Sequence, residues 1–360
     1  MKQLLAGVAM ILAAVGTTVA TDFDYRPAAS LPVTGTLAPD ASEVYSRLPD
    51  SLKGKVRDEL WALGLNSAGL AVRFRSDSPA LAVRWHSRNK FSMNHMTPTG
   101  IRGLDLYMLQ GDSTWTFVNS GRPSMSSHSS RSTLVENMQP GVEREYMLYL
   151  SLYDGVDSLF IGVDSAATLA APAVALPFAA RPVVMYGTSI LQGGCATRPG
   201  MAHTNILQRR LNREVVNLGF SGNARLDPEI ARLMAASDAS VFVVDPLPNC
   251  TPEQVEERME PFLAILRQAH PTTPILLVES PWFPIMRFNS EVEGTLRDKN
   301  MRLREIYNRL SATDSNLHYF EADSVFAGHV DGTVDNYHLT DGGFEGFADR
   351  LIPVIENLIK

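Results

Sequence analysis

The chain has 360 residues, of which 45% are hydrophobic and 20% are charged. This ordinary globular composition excludes a mainly disordered protein, and the length favours two domains, at about 150 residues for each. The formal net charge of −7 excludes nucleic-acid binding through the overall field, because phosphate requires concentrated positive charge. Two cysteines and eight scattered histidines form no disulfide framework and no zinc-ligand spacing, so no structural metal is predicted.

Residues 1–20 are predicted to be a secretory signal peptide. Lys2 precedes an apolar stretch from Leu4 to about Val15, and small residues lead to Ala20, which is the layout of a cleavable export signal. The alternative is a membrane anchor, because the uncharged run approaches spanning length, but no basic stop-transfer cluster follows it. We therefore expect cleavage near Ala20, a secreted or periplasmic protein, and no membrane association after cleavage.

Residues 21–175 are predicted to form an antiparallel β-sandwich. From Gly69 to Asp164, apolar and polar residues alternate with period two, as in Ala71-Val72-Arg73-Phe74-Arg75. This pattern is typical of strands with one buried face. Gly and Pro turns separate the strands and no long helical pattern intervenes, which favours a sandwich. The Ala- and Pro-rich stretch 165–182 is interpreted as an ordered linker.

Residues 176–360 are predicted to form an α/β domain. Helical patterns lie between five short apolar runs, and such alternation indicates a parallel sheet with helices on both faces. The runs are Val183–Tyr186, Val215–Leu218, Val241–Val244, Ile275–Val278 and Leu317–Phe320. The helical patterns start at Asp227, at Thr251 (to about Gln268), at Glu291 (to Leu310) and at Phe344 (to Ile359). Ligands of such folds bind at the carboxyl ends of the strands, so the residues after each run are the candidates for a site.

The loop after the first apolar run carries a candidate nucleophile, Ser189, in Gly187-Thr188-Ser189-Ile190. A serine in a tight turn between strand and helix has backbone amides nearby that could stabilise an oxyanion. The alternative is that Ser189 caps the helix. The Gly-x-Ser-x-Gly elbow is absent, which disfavours an α/β-hydrolase.

A candidate base and its partner, His338 and Asp335, lie in the loop before the last helical pattern. An imidazole there could take a proton from a serine hydroxyl while the carboxylate orients the ring. The alternative is an ordinary surface Asp–His pair. After the third run, two prolines precede Asn249, whose amide could donate to a developing negative oxygen or could simply occupy a turn.

Taken together, Ser, Gly, Asn and Asp-x-x-His follow one another in the order that resembles the SGNH (GDSL-type) serine hydrolases. The chain is similar to the subgroup with an N-terminal β-domain carrying a Gly-x-Asp-Leu-Tyr motif, which here reads Gly103-Leu104-Asp105-Leu106-Tyr107. Further similar stretches are 66–69, 193–201 and 217–223. The resemblance covers nearly the whole chain after the signal peptide. It implies a jelly-roll-like β-domain followed by a flavodoxin-like, three-layer hydrolase domain with a five-stranded parallel sheet.

The resemblance also implies roles for individual residues. Ser189 matches the nucleophile, His338 the base and Asp335 the orienting acid. The Ser189 N–H, the Gly222 N–H and the Asn249 amide match the oxyanion hole. The usual Gly-x-Asn-Asp block is replaced here by Asp245-Pro246-Leu247-Pro248-Asn249-Cys250, and Gly219 is a rival for Gly222.

The resemblance implies a carboxylic ester hydrolase that works through an acyl-enzyme without a cofactor. We expect short-chain esters, acetyl foremost, on an acetylated glycan or another small ester. The alternatives are a lipase, phospholipase or thioesterase of the same fold, or a non-catalytic glycan-binding protein with Asp105 and Tyr107 as contacts. Arg198 is either a substrate contact or a structural ion pair. Cys195 and Cys250 are either a disulfide or two buried thiols, and no oligomeric state is predicted.

Overall fold

The computed structural model describes residues 22–38, 41–111, 113–175, 181–322 and 331–359. The predicted signal peptide and five residues of the predicted linker, 176–180, lie outside the described residues. None of the described helices is both long enough and apolar enough to cross a membrane.

The N-terminal half is an antiparallel sandwich, as predicted. One sheet has the strand order β1-β9-β4-β7, and the other has the order β10-β3-β8-β5-β6 with β2 also paired to β3. Side chains of both sheets, such as Trp85 and Leu148, share one buried core. The strands are β1 (Asp24–Pro27), β2 (Val33–Thr34), β3 (Ala71–Ser76), β4 (Leu81–Ser87), β5 (Leu104–Leu109), β6 (Trp115–Gly121), β7 (Ser129–Val135), β8 (Arg144–Tyr149), β9 (Val156–Val163) and β10 (Leu169–Ala170).

Two short helices interrupt this half, α1 (Asp58–Gly64) and α2 (Pro98–Arg102). Leu60 of α1 is buried in the same hydrophobic cluster as strand residues of the C-terminal half. Arg47, which is fully buried, donates to the carbonyl oxygen of Gly219 in that half. The segment between β2 and β3 therefore packs on the second domain, although sandwich strands lie on both sides of it in the chain.

The C-terminal half contains five parallel strands in the order β12-β11-β13-β14-β15, which is the flavodoxin-like order. Each predicted apolar run is one of these strands, and helices cover both faces. The strands are β11 (Val183–Gly187), β12 (Val215–Gly219), β13 (Val241–Asp245), β14 (Ile275–Val278) and β15 (Leu317–Phe320). The helices are α3 (Ser189–Gln192), α4 (His203–Leu211), α5 (Pro228–Ala235), α6 (Pro252–Ala269), α7 (Ser290–Ser311) and α8 (Asp341–Leu358).

Helices α4 and α8 cover one face of the sheet, and α5, α6 and α7 cover the other. The predicted starts of α5 and α6 hold: Pro228 opens α5, and Thr251 forms a capping box with Gln254. Helix α4 was not predicted, because its buried residues include His203, Thr204, Asn205 and Gln208. A helix that buries polar side chains leaves no apolar period in the sequence to detect.

His203 is the most unusual of these buried polar groups. Its ring stacks on Phe344 and Phe347, and neither ring nitrogen has a partner among the described residues. Burial lowers the pKa of His203 to about 3. The unfolded chain, whose histidines have a pKa of about 6.5, therefore takes up a proton below that pH that the folded protein does not.

The free energy of unfolding is thus expected to fall by about 2 kcal/mol between pH 7 and pH 5 through His203 alone. A His203→Leu variant should lack this part of the pH dependence, as urea unfolding at the two pH values would measure. His128→Leu, on the sandwich, is the control and should keep the wild-type difference. Equal pH dependence in wild type and His203→Leu would contradict the assignment.

Candidate active site

The site lies where three neighbouring strands end level with one another. The register pairs Gly187 at the end of β11 with Gly219 at the end of β12 and with Asp245 at the end of β13. The loops that follow these strands carry Ser189, Gly222 and Asn249, so the sheet itself brings the three predicted positions to one edge, as expected for this type of fold.

Ser189 is the first residue of α3, and the helix is capped by Thr188, whose Oγ1 accepts a hydrogen bond from the Ile190 N–H (3.3 Å). The capping role considered for Ser189 is therefore filled by its neighbour, which leaves the Ser189 hydroxyl available. The Ser189 residue is 9% exposed. The nucleophile candidate is thus almost entirely shielded from solvent.

The structure brings Ser189, His338 and Asp335 into one hydrogen-bonded chain. Ser189 Oγ lies 2.9 Å from His338 Nε2, and His338 Nδ1 lies 2.7 Å from Asp335 Oδ2. A carboxylate only accepts, so Nδ1 carries the ring proton and Nε2 presents a lone pair to the serine hydroxyl. Residues separated by 149 positions in the chain therefore have the geometry of a nucleophile, base and orienting acid.

Asp335 is held by its own loop. Its Oδ1 accepts hydrogen bonds from the backbone N–H groups of Tyr337 (3.1 Å) and His338 (2.8 Å). Partial burial by itself would raise the pKa of Asp335, but the hydrogen bonds from the His338 ring and from these backbone groups outweigh it and lower the pKa. The carboxylate therefore stays charged beside the imidazole that it orients.

Backbone N–H groups near Ser189 supply candidate oxyanion donors. The Ser189 N–H begins α3 and has no acceptor within the helix. Gly222 has a φ of +68° and open space where a Cβ would lie, and its N–H has no acceptor among the described residues. The rival Gly219 instead donates its N–H to Asn217 Oδ1 (2.9 Å). Gly222 is therefore the better oxyanion candidate of the two.

Asn249 ends a short 3₁₀ turn, Leu247–Asn249. Its Oδ1 accepts a hydrogen bond from the Ala224 N–H (3.2 Å), which identifies this end of the amide as oxygen and leaves the Nδ2 donor free among the described residues. The same bond ties the Asn249 loop to the loop that contains Gly222. The two predicted oxyanion residues are thus held together.

Several residues that contact the predicted site residues were not indicated by the sequence. Tyr153, from the sandwich domain, donates from its hydroxyl to the Ser189 carbonyl oxygen (3.2 Å). Gln192 accepts from the Ser221 N–H (3.0 Å) and so anchors the Gly222 loop. The His95 ring, also from the sandwich domain, lies 5.8 Å from the His338 ring. No local motif marks these residues, because each acts across the interface between elements far apart in the chain.

Arg198, for which the sequence allowed either a substrate contact or an ion pair, forms an ion pair with Asp105. Its Nη1 donates to Asp105 Oδ2 (2.7 Å) and to the Tyr107 hydroxyl (2.8 Å), and its guanidinium lies over the Phe117 ring. These bonds place Arg198 in an ion pair at the interface between the domains, which is the second of the two roles considered for it. Asp105 and Tyr107 are themselves buried, so their alternative role as glycan contacts is wrong.

Removing the Asp105 carboxylate is expected to destabilise the protein by about 3–5 kcal/mol. Asp105 is fully buried and also accepts hydrogen bonds from the Gly200 N–H (2.8 Å) and the Ser120 hydroxyl (2.6 Å). Asp105→Ala therefore leaves these two donors and a guanidinium without their acceptor. Urea unfolding would measure the loss. Asp238→Ala, which breaks an exposed pair with Arg181, is the matched control, with an expected change below about 1 kcal/mol. Equal losses in the two variants would contradict this role for Asp105.

The two cysteines are both free and buried, so the disulfide considered from the sequence does not form and the buried-thiol alternative holds. Burial raises the pKa of Cys195 and of Cys250 to about 12. Cys195 lies at the site, where it forms with His95 and His338 the one group of potential metal ligands found among the described residues.

Comparison with known proteins agrees with this architecture. A profile of the GDSL-like lipase/acylhydrolase family matches residues 180–356, and a profile of the N-terminus of SGNH-hydrolase-type esterases, named for Gly-x-Asp-Leu-Tyr, matches residues 23–169. No curated protein matches the chain significantly.

Solved structures extend the likeness over nearly the whole chain. A Bacteroides ovatus protein described as a GDSL-like lipase is 32% identical, with a TM-score of 0.88 over 94% of this chain and 98% of its own. A salicylyl-acyltransferase from a tetracycline biosynthetic pathway is 18% identical, with a TM-score of 0.75 over 93% and 97%. A family two carbohydrate esterase from Cellvibrio japonicus is 12% identical, with a TM-score of 0.60 over 94% and 98%. The chain belongs to the GDSL-like (SGNH) lipase/acylhydrolase family, in the group with an N-terminal Gly-x-Asp-Leu-Tyr domain.

Proposed function

We propose that this acylhydrolase is a serine esterase that removes short acyl groups, acetyl foremost, from carbohydrate. The observation that carries the catalytic part is the continuous hydrogen-bonded chain from Asp335 through His338 to Ser189. Membership of the family establishes that the protein is an acylhydrolase, and we add to this the roles of the individual residues and the substrate.

In the first step, Ser189 Oγ attacks the ester carbonyl carbon as His338 Nε2 takes the hydroxyl proton. The carbonyl oxygen becomes an oxyanion, which the N–H groups of Ser189 and Gly222 and the Asn249 amide would stabilise. Each such donor is typically worth about 10²–10³ in kcat. Asp335 stabilises the imidazolium that forms.

The tetrahedral intermediate then collapses. The bond to the alcohol oxygen breaks, and His338 returns its proton to that oxygen, which leaves an acyl-enzyme on Ser189 Oγ. Water attacks the acyl carbon while His338 takes one of its protons, and a second collapse releases the acid and restores the serine hydroxyl. The cycle restores the free enzyme and consumes only ester and water, so the proposed mechanism needs no cofactor.

Two features support a small acyl group on a sugar. The Tyr153 hydroxyl bonds to the Ser189 carbonyl oxygen, and a Cβ on Gly194 would lie 3.1 Å from His338 Cδ2, so the protein packs closely against the nucleophile and one side of the base. In addition, two proteins of this fold are family two carbohydrate esterases, and one of these was solved in complex with cellohexaose.

The test is a chain-length series of 4-nitrophenyl esters, followed by assay of acetate released from acetylated polysaccharides. We expect the highest kcat/KM with acetate esters, a steep decline with longer acyl chains, and acetate release from at least one acetylated polysaccharide. A preference for long chains would support a lipase instead. Failure to hydrolyse any ester, together with no fluorophosphonate labelling of Ser189, would support a binding protein.

A further inference from the structure

Three side chains from separate segments converge beside the proposed nucleophile: His95, Cys195 and His338. One ring nitrogen of each histidine and the Cys195 Sγ all lie within 4.8 Å of one another. His95 comes from the loop between β4 and α2 of the sandwich domain, whereas the other two come from loops of the hydrolase domain. The catalytic scheme uses His338 but assigns nothing to His95 or to the thiol.

Both imidazoles have Nδ1 hydrogen-bonded to a side-chain oxygen. His95 Nδ1 lies 3.0 Å from the side-chain oxygen of Asn94, and His338 Nδ1 lies 2.7 Å from Asp335 Oδ2. Each acceptor places the ring proton on Nδ1 and leaves the lone pair on Nε2. Metal-binding histidines are oriented in this way, with the second nitrogen donating to a carboxylate or carbonyl oxygen.

We propose that His95, Cys195 and His338 form a site for a zinc-like divalent ion that switches the esterase off. Two imidazoles and one thiolate are ligands that suit Zn²⁺, and a fourth position is left for water. Zn–N bonds of about 2.0 Å and a Zn–S bond of about 2.3 Å place tetrahedral ligand atoms roughly 3.3–3.7 Å apart. The ligand atoms, which lie within 4.8 Å of one another, must therefore move closer by up to about 1.5 Å when the ion binds. The thiol proton leaves to solvent as the metal–sulfur bond forms.

Inhibition follows from the lone pair on His338. The same Nε2 electrons cannot bind a metal ion and also take the proton of Ser189, so a bound ion removes the base from the reaction. This consequence depends on the proposed esterase mechanism, whereas metal binding itself does not. The two parts can therefore be tested separately.

Binding is tested with Co²⁺ added to the full-length Ser189→Ala protein, which holds all three ligands. We expect one equivalent to bind, with the visible bands of tetrahedral cobalt and a thiolate-to-cobalt charge-transfer band. A second substitution in this protein, Cys195→Ser, should remove the charge-transfer band. His95→Ala in the same background should weaken Co²⁺ binding at least tenfold. His128→Ala is the control, because His128 stacks on His86 at a different pair of histidines, and it should change nothing. Binding that depends on His128, or no tetrahedral spectrum, would overturn the site.

Inhibition is tested with Zn²⁺ in the active protein. We expect Zn²⁺ to abolish ester hydrolysis reversibly, with recovery on EDTA, and Mg²⁺ to have no effect because it prefers oxygen ligands. Cys195→Ser and His95→Ala should each raise the inhibitory Zn²⁺ concentration at least tenfold relative to His128→Ala. An unchanged inhibitory concentration in both variants would overturn the switch. If the protein hydrolyses no ester, the cobalt spectra still decide whether the metal site exists.

Discussion

Replacing Ser189 with alanine is expected to lower kcat for ester hydrolysis by a factor on the order of 10⁵–10⁶. The substitution removes the one atom that would bond to the acyl carbon, so the acyl-enzyme route is lost. Fold and stability should be preserved, because the hydroxyl bonds only to His338 among the described residues. The measurements are kcat with 4-nitrophenyl acetate, fluorophosphonate labelling and the thermal midpoint.

A second buried serine provides the matched control for Ser189→Ala. Ser240 is 4% exposed, precedes β13 at the amino end of the sheet, and donates to the Pro182 carbonyl oxygen (2.9 Å). Ser240→Ala should cost about 1 kcal/mol of stability and leave kcat within twofold. If Ser189→Ala retained more than a tenth of wild-type kcat, or still reacted with the fluorophosphonate, another nucleophile would have to be sought.

The fold was predictable because buried parallel strands have a strong local signal. Each of the five runs is short and is bounded by turn residues, and four of them are buried along their whole length, so hydrophobicity located them. In the fifth, β15, the two middle residues are only half-buried. The order of the chain then placed the Ser189 and His338 loops at the same edge. Helix α4 had no such signal, since its inward face carries His203 and other polar groups that are compensated only by tertiary packing.

The parts of the site that the sequence left undecided depend on long-range contacts. The sequence does not distinguish Gly219 from Gly222. In the structure, the Gly219 N–H is bonded to Asn217, whereas Gly222 has a positive φ and open space beside it. Arg198 was ambiguous until its partner Asp105, 93 positions away, was located. His95 could not be linked to His338 at all, because nothing in the loop sequence encodes which domain surface it will face.

Replacing Asp335 with asparagine is expected to lower kcat by about 10⁴, although the change is one of the smallest possible in shape. Asp335 Oδ1 accepts two backbone N–H groups, from Tyr337 and His338, and an asparagine would keep its oxygen at these donors. Its NH₂ group would then face His338 Nδ1 and force the ring proton onto Nε2. The imidazole would present a proton to Ser189 instead of a lone pair, so it could not act as the base.

The Asp335→Ala variant separates this tautomer effect from loss of the carboxylate alone. Alanine leaves His338 free to adopt either tautomer, so we expect Asp335→Ala to retain more activity than Asp335→Asn. The nitrogen chemical shifts of the His338 ring should report a proton on Nε2 in Asp335→Asn and on Nδ1 in the wild type. Because the hydrogen bonds at Asp335 lower its pKa, its charge is present throughout the neutral range and is lost only in strong acid. An asparagine variant as active as wild type, with an unchanged ring tautomer, would show that Asp335 does not orient His338.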